Sequence, residues 1–103
     1  MATISNRVSH GVATIAVAGR FDFNLREEFE ATTGNLLSQQ GIKKIDLNLS
    51  QVDYIDSSAL GILLYLKDKA DSAHIKTFTL VGAGGLVKQV LEIAHFQKFF
   101  TLR

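Results

Sequence analysis

The residues best placed to do chemistry lie in the stretch Asp53-Tyr54-Ile55-Asp56-Ser57-Ser58, which opens directly into the apolar run Ala59-Leu60-Gly61-Ile62-Leu63-Leu64. Two carboxylates and two hydroxyls beside the start of a helix offer hydrogen-bond acceptors, a place for an anion and a hydroxyl that can be modified. Asp56, Ser57 and Ser58 are favoured capping types, because their side-chain oxygens accept from the unpaired N–H groups of a first helical turn. For an isolated Asp-Ser-Ser, capping is the commoner use. Beyond the cap, Ala59, Ile62, Leu63, Leu66 and Ala70 fall on one helical face, so a helix expected over about 58–73 presses that face into a core. Leu60 and Leu64 flank the stripe and are read as additional core.

Other candidate chemistries are weaker. Gly82-Ala83-Gly84-Gly85 could cradle a phosphate, but it lacks the Gly-x-Gly-x-x-Gly spacing and any P-loop lysine and hydroxyl, so it reads as a strand-to-helix turn. His10, His74 and His95 are scattered singly, without the spacing of a metal site. No serine is set in a nucleophile elbow with a histidine and an acid in sequence. Neither a catalytic residue, a metal nor a cofactor is expected, and the chain is not read as an enzyme.

The elements that position the Asp-Ser-Ser segment can be read in order. Ile4–Ser9 and Val12–Ala18 are two β-branched runs joined at His10-Gly11, a hairpin. Gly19-Arg20-Phe21-Asp22-Phe23-Asn24 breaks that pattern, and Asn24 is expected to cap a helix with Glu27 and Glu28 in its first turn, the favourable end for acidic charge. Leu25, Phe29, Leu36 and Leu37 give that helix an apolar side, and Gly41 closes the connection. Ile45, Leu47 and Leu49 alternate with polar neighbours, as in a strand with one buried face. Lys76–Val81 is a further strand. A third helix carries Val87, Val90, Leu91 and Ala94 on one face, and Phe96–Leu102 reads as a closing edge strand. The expected fold is α/β, a mixed sheet with an N-terminal hairpin and interleaved helices packed mainly on one face.

The composition restricts function further. The 103 residues suit one domain over 1–103, and 47% hydrophobic content supports a sizeable core. With Lys+Arg 11 against Asp+Glu 10, a formal net charge of +1 recommends neither nucleic acid nor an anionic membrane as partner. Cys 0 excludes disulfides and thiolate metal sites and suits a reducing compartment. No apolar run is long enough to cross a bilayer, and a cytoplasmic location is expected. The sequence leaves the oligomeric state open, with a monomer the favoured reading.

Asp56-Ser57-Ser58-Ala59-Leu60-Gly61, the strand before it and Gly19-Arg20-Phe21-Asp22 upstream together resemble the STAS domain of anti-sigma factor antagonists, over the whole chain. In that family the motif is Asp-Ser-Ser/Thr-Gly-Leu-Gly at a helix start, and the first serine is phosphorylated by a kinase that is itself the anti-sigma factor. The resemblance implies that Ser57 is the phosphoacceptor. It also implies that Asp22, Asp56, Ser58, Phe21 and Gly61 belong to the partner-binding or switch surface. Phe21 stands where the family has leucine, and Ala59 where it commonly has glycine. The implied function is a phosphorylation-switched module that sequesters an anti-sigma factor or related regulator when Ser57 is unmodified. An anti-sigma factor or serine kinase and a PP2C-like phosphatase are the implied partners. The alternative is an accessory subunit of a transporter or nucleotide-sensing assembly, with a constitutive docking face. Asp22, Asp53 and Asp56 are expected to make the phosphorylated patch strongly acidic.

Overall fold

In a computed structural model describing residues 2–103, the chain forms strands β1 (Thr3–Ser9), β2 (Val12–Phe21), β3 (Lys44–Ile55), β4 (Thr77–Val81) and β5 (Thr101–Leu102). Its helices are α1 (Arg26–Leu37), α2 (Ser57–Ser72) and α3 (Gly85–Ile93), with two short 3-10 turns at Phe23–Leu25 and Phe96–Lys98. The five strands lie in sequence order, β1 antiparallel to β2 and every later pair parallel. Each parallel step needs a crossover, and α1, α2 and α3 supply the three. When strand order follows chain order and crossovers share the usual right hand, successive helices land on the same face. Packing agrees with that rule. Thr33 and Leu36 of α1 and Leu66 of α2 meet around Ala13, Ile15 and Ile45, while Leu91 of α3 lies beside Leu80. Register places Ile45 beside Phe78 and Leu47 beside Leu80, so all these strand residues share one side of the sheet.

The core is made by that side. Phe21, Phe29, Leu47 and Leu63 are fully buried, and the Phe21 and Phe29 rings pack with centroids 5.2 Å apart, tying β2 to α1. At the far edge Phe78, Phe96 and Phe100 interlock, with centroids 4.9 Å apart for Phe78–Phe100 and 5.4 Å for Phe96–Phe100. The buried Thr33 hydroxyl donates to the Phe29 carbonyl at 2.9 Å, so its burial carries no unmet hydrogen bond.

Several sequence expectations need correction. β2 does not break at Gly19 but continues to Phe21, and β3 runs to Ile55, well past Leu49. Both differences come from the β2–β3 ladder, whose register shifts between Ala16 and Ala18 and again between Gly19 and Arg20. The ten residues of β2 face the twelve of β3, so β3 carries two extra residues. At the first bulge the Ser50 N–H, out of step with the ladder, is met by the Asn48 side-chain oxygen at 2.8 Å. Each extra residue shifts the alternation by one, so the buried set Ile45, Leu47, Leu49 gives way to Val52 and Ile55. Phe96–Leu102 is not one strand. It begins as a 3-10 turn whose Phe96 is buried, and only Thr101–Leu102 pairs with β4.

Two helix ends and the hairpin turn account for the three histidines. His74 and His95 follow the C-caps of α2 and α3 with φ of 63° and 58°, and His10 holds φ 52° in the hairpin turn. After α2 the Ile75 N–H returns to the Ala70 carbonyl at 2.9 Å and the His74 N–H to the Asp71 carbonyl at 3.0 Å, a closed Schellman ending. All three sit in a left-handed backbone position usually given to glycine or asparagine.

Gly82, just after β4, has φ 79°, and a Cβ there would lie 2.9 Å from the Ser50 Cβ at the β3 bulge. Gly82→Ala is therefore expected to destabilise the protein by about 1–3 kcal/mol through strain and overlap. Gly34→Ala, in the exposed interior of α1 with open space around it, is expected to stabilise by about 0.5–1 kcal/mol. Urea unfolding of the two variants measures both signs.

Candidate functional site

The parallel register of β2 and β3 pairs Phe21 with Ile55, the last residue of each strand. The next residue in each chain segment is an aspartate, so Asp22 and Asp56 leave the sheet side by side at the carboxyl ends of neighbouring parallel strands. In open α/β sheets this is where sites gather, because strand ends and helix starts converge there. The two aspartates also share a backbone conformation, φ −135° and ψ −168° for Asp22 against φ −125° and ψ −177° for Asp56.

Both carboxylates are used as caps. Asp56 Oδ1 accepts from the Ala59 N–H at 3.0 Å and starts α2. Asp22 Oδ1 accepts from the Asn24 N–H at 3.0 Å and starts the 3-10 turn that leads into α1. Asn24 is therefore not the cap expected from the sequence. The residue two positions earlier takes the role, because β2 runs on to Phe21 and delivers Asp22 in extended geometry. Ser58 does not cap either; the Asp56 carboxylate already holds that place, and Ser58 is half-buried in a cleft described below.

Ser57 is the first residue of α2 and is exposed. Since Asp56 takes the Ala59 N–H, the N–H groups of Ser57 and Ser58 stay free of intrahelical partners, as the first-turn donors of any helix are. The hydroxyl thus projects from the positive end of a sixteen-residue helix whose opposite face, Ala59, Ile62, Leu63, Leu66 and Ala70, is buried. Helical spacing puts Gly61, Leu64 and Asp68 on the same outward side as Ser57. Leu64 is accordingly 39% exposed, not core, whereas Leu60 packs against the core as expected.

Phe21 lies apart from this surface. It is 0% exposed and supports the strand end from beneath through its contact with Phe29. The surface beside it carries aromatic rings and two arginines, each ion-paired, Arg20 with Asp22 and Arg26 with Glu30 at 3.2 Å, that the sequence pattern did not single out. Arg20, the register partner of Tyr54, stacks its guanidinium 3.9 Å from that ring's centroid and places Nε 3.4 Å from Asp22 Oδ2. Part of the expected acidic field is thereby balanced. Phe23 and Tyr65 are 60% and 48% exposed, and together with Arg26, Ser58 and Gly61 they line a cleft of about 340 Å³ between the starts of α1 and α2. Tyr65 could have been found, since it follows Ser58 by seven residues and Gly61 by four, on one helical face. Phe23 could not, because its exposure depends on the tight turn that Asp22 caps. Asp53 is exposed on β3, two residues before the strand ends.

Among the described residues no group of three or more metal-ligating side chains gathers, and no helix is long and apolar enough to cross a membrane.

The sequence profile of the STAS domain matches residues 3–103. A STAS-domain containing protein of Pseudomonas aeruginosa (strain UCBPP-PA14) is 30% identical over 89 residues, which are 86% of this chain and 85% of that protein. An anti-sigma factor antagonist from Mycobacterium paratuberculosis superposes with a TM-score of 0.86 at 22% identity, covering 99% of this chain and 85% of that one. The Bacillus cell fate determinant SpoIIAA in its phosphorylated form superposes with a TM-score of 0.74 at 16% identity, covering 98% of this chain and 91% of that one.

Removing the side-chain oxygens of Asp56 and Ser57 in turn should separate structure from surface. Asp56→Ala is expected to cost about 0.5–2 kcal/mol of stability through the lost cap. Ser57→Ala, at an exposed hydroxyl, should change stability by no more than about 0.5 kcal/mol. Denaturant midpoints of the two variants check the contrast.

Proposed function

The chain belongs to the STAS-domain family, and from that premise we propose that it is an anti-sigma factor antagonist whose partner binding is switched by phosphorylation of Ser57. The observation that carries the reading is the position of Ser57: exposed, first in α2, at the strand edge where Asp22 and Asp56 emerge. The unmodified surface around it offers a partner exposed Phe23, Leu64 and Tyr65, with the Arg26 guanidinium, its Nε bonded to Glu30, nearby. Aromatic side chains and arginine are the types that most often anchor protein interfaces.

Gly61 adds support. It sits in the exposed interior of α2, where glycine costs about 0.5–1 kcal/mol relative to alanine, and apart from its chain neighbours and the backbone of its own helical turns no atom lies within 4 Å of where its Cβ would be. Nothing in the chain's own packing asks for glycine there. Close approach of a partner to the helix does.

A phosphoryl group on Ser57 would add about −1.5 to −2 charges next to free N–H groups and the positive helix end, so the fold can accept it. The partner would meet a different surface. Asp22 and Asp56 spend one oxygen each on backbone donors, and Arg20 offsets part of their charge, so most of the change in potential would come from the phosphate itself. SpoIIAA superposes on this chain in its unphosphorylated form (TM-score 0.76) and in its phosphorylated form (TM-score 0.74), which supports a fold that keeps its architecture when phosphate is present. In this reading a serine kinase, itself the anti-sigma factor, sets the switch and a PP2C-like phosphatase resets it. The chain then acts by stoichiometric binding rather than turnover.

Treatment with the cognate kinase followed by mass spectrometry should place the phosphate on Ser57. Titration of both forms should then show a loss of partner affinity of about a hundredfold, the scale of a few kcal/mol of like-charge or desolvation cost. Ser57→Ala should bind permanently and Ser57→Asp should imitate the modified form in part. Gly61→Ala should raise stability yet weaken binding. Phosphate on Ser58, or equal affinity of the two forms, contradicts the switch.

A further inference from the structure

We propose that a second copy of this chain docks on the free edge of β1, joining the two sheets into one across a two-fold axis at Asn6. Strand edges with unpaired N–H and C=O groups are ready templates for pairing, and proteins usually blunt them with short strands, prolines, bulges or charges. The other edge of this sheet, β5, is blunted by its two-residue length. β1 is not blunted: it is seven residues long, contains no proline, pairs with β2 without a register shift from Thr3 to Ser9, and carries Arg7 as its one charge.

The backbone decides which groups are free. His10 and Gly11, with φ 52° and 79°, form a two-residue hairpin turn between Ser9 and Val12. Both positive values match a type I′ turn, whose flanking residues exchange both main-chain hydrogen bonds. Counting back in twos, Ser9, Arg7, Ser5 and Thr3 bond to β2, while Val8, Asn6 and Ile4 aim their N–H and C=O groups outward. A two-fold axis requires an antiparallel, self-complementary pairing. The register with Asn6 opposite its own copy places Ile4 opposite Val8 and uses every outward group, about six main-chain hydrogen bonds in all.

Side chains favour the same register. Ile4 and Val8 pair with the core residues Val17 and Ala13 and so lie on the helix-bearing face, yet Val8 is 40% exposed and Ile4 only partly covered. Across the axis each would cover the other. On the opposite face Arg7 would meet Ser5, so the two arginines are diagonal neighbours and not directly opposed. The strand ends also complement one another. Ala2 shares a cleft with Arg20, Asp22 and Glu28, and because Arg20 pairs with Asp22, Glu28 leaves that end acidic. The other end, at the hairpin turn, carries Lys43, whose N–H bonds to the Gly11 carbonyl at 2.7 Å. Antiparallel docking brings the acidic end of one copy to the basic end of the other. One strand pair is smaller than the roughly 1,000 Å² of a stable specific interface, so the dimer should be weak and depend on concentration. It departs from the monomer favoured by the sequence.

Because the chain has Cys 0, engineered thiols give a clean test. In a hydrogen-bonded antiparallel pair the Cα atoms are about 5.5 Å apart, inside the range a disulfide spans. Asn6→Cys should form a covalent dimer under mild oxidation at least about tenfold faster than Glu92→Cys, an exposed site on α3. Sedimentation velocity of the native chain between about 10 μM and 1 mM should show dimer at the high end. Asn6→Pro removes only an outward N–H, the position a strand tolerates proline, and Val8→Lys charges the edge. Both should keep the circular-dichroism spectrum and weaken dimerisation at least about tenfold; if Asn6→Pro does not fold, Val8→Lys decides. A chain monomeric at about 1 mM, a dimer indifferent to Val8→Lys, or equal cross-linking at the two cysteine sites overturns the proposal.

Discussion

Everything at the candidate site depends on the parallel ladder between β2 and β3, which ends with Phe21 opposite Ile55. That pairing delivers Asp22 and Asp56 to one edge in the same extended conformation, and each then satisfies a backbone donor of the helical segment that follows. Two capped starts set side by side define the cleft between α1 and α2 and aim Ser57 away from the core. The ladder itself is held by the layer beneath it, where Phe21 meets Phe29 and the α2 stripe covers the sheet.

Much of this was legible because hydrophobic period is a local property. The alternation Ile45, Leu47, Leu49 and the stripe Ala59, Ile62, Leu63, Leu66, Ala70 each face the core as read, and the one-sided helix layer follows from strand order and crossover hand. What escaped was set by pairing between segments. The β3 bulges change the phase of burial after Leu49, so a strand of constant period could not be followed to Ile55. Asn24 reads as a cap only if β2 stops at Ala18, and β2 runs on to Phe21. Phe96 and Phe100 looked like strand residues, but the aromatic cluster with Phe78 asks for a compact turn there.

The site residues divide along the same line. The Asp-Ser-Ser segment announced a helix start, and Asp56, Ser57 and Gly61 sit where that start requires, Asp56 inward on a backbone donor and the other two outward. Phe21 was placed on a surface by its neighbours in the motif and is core by its side chain. Arg20 stands in the Gly19-Arg20-Phe21-Asp22 segment with no role of its own legible there, because its role arises only when the register sets it over Tyr54 and next to Asp22. Its presence makes the unmodified edge less acidic than a count of carboxylates suggests, which leaves more of any charge switch to Ser57.

The central claim is that the fold and the surface at the start of α2 are separable, so that phosphate on Ser57 rewrites the surface and leaves the fold. Amide spectra of the Ser57-phosphorylated and unmodified protein, recorded with their urea unfolding curves, test this most directly. The account predicts shifts confined to the first turn of α2, the Asp22 turn and the cleft residues Phe23 and Tyr65, with unfolding midpoints that coincide. Shifts spread through β4, α3 and the aromatic cluster at Phe78, or a midpoint displaced by several kcal/mol of stability, would contradict it.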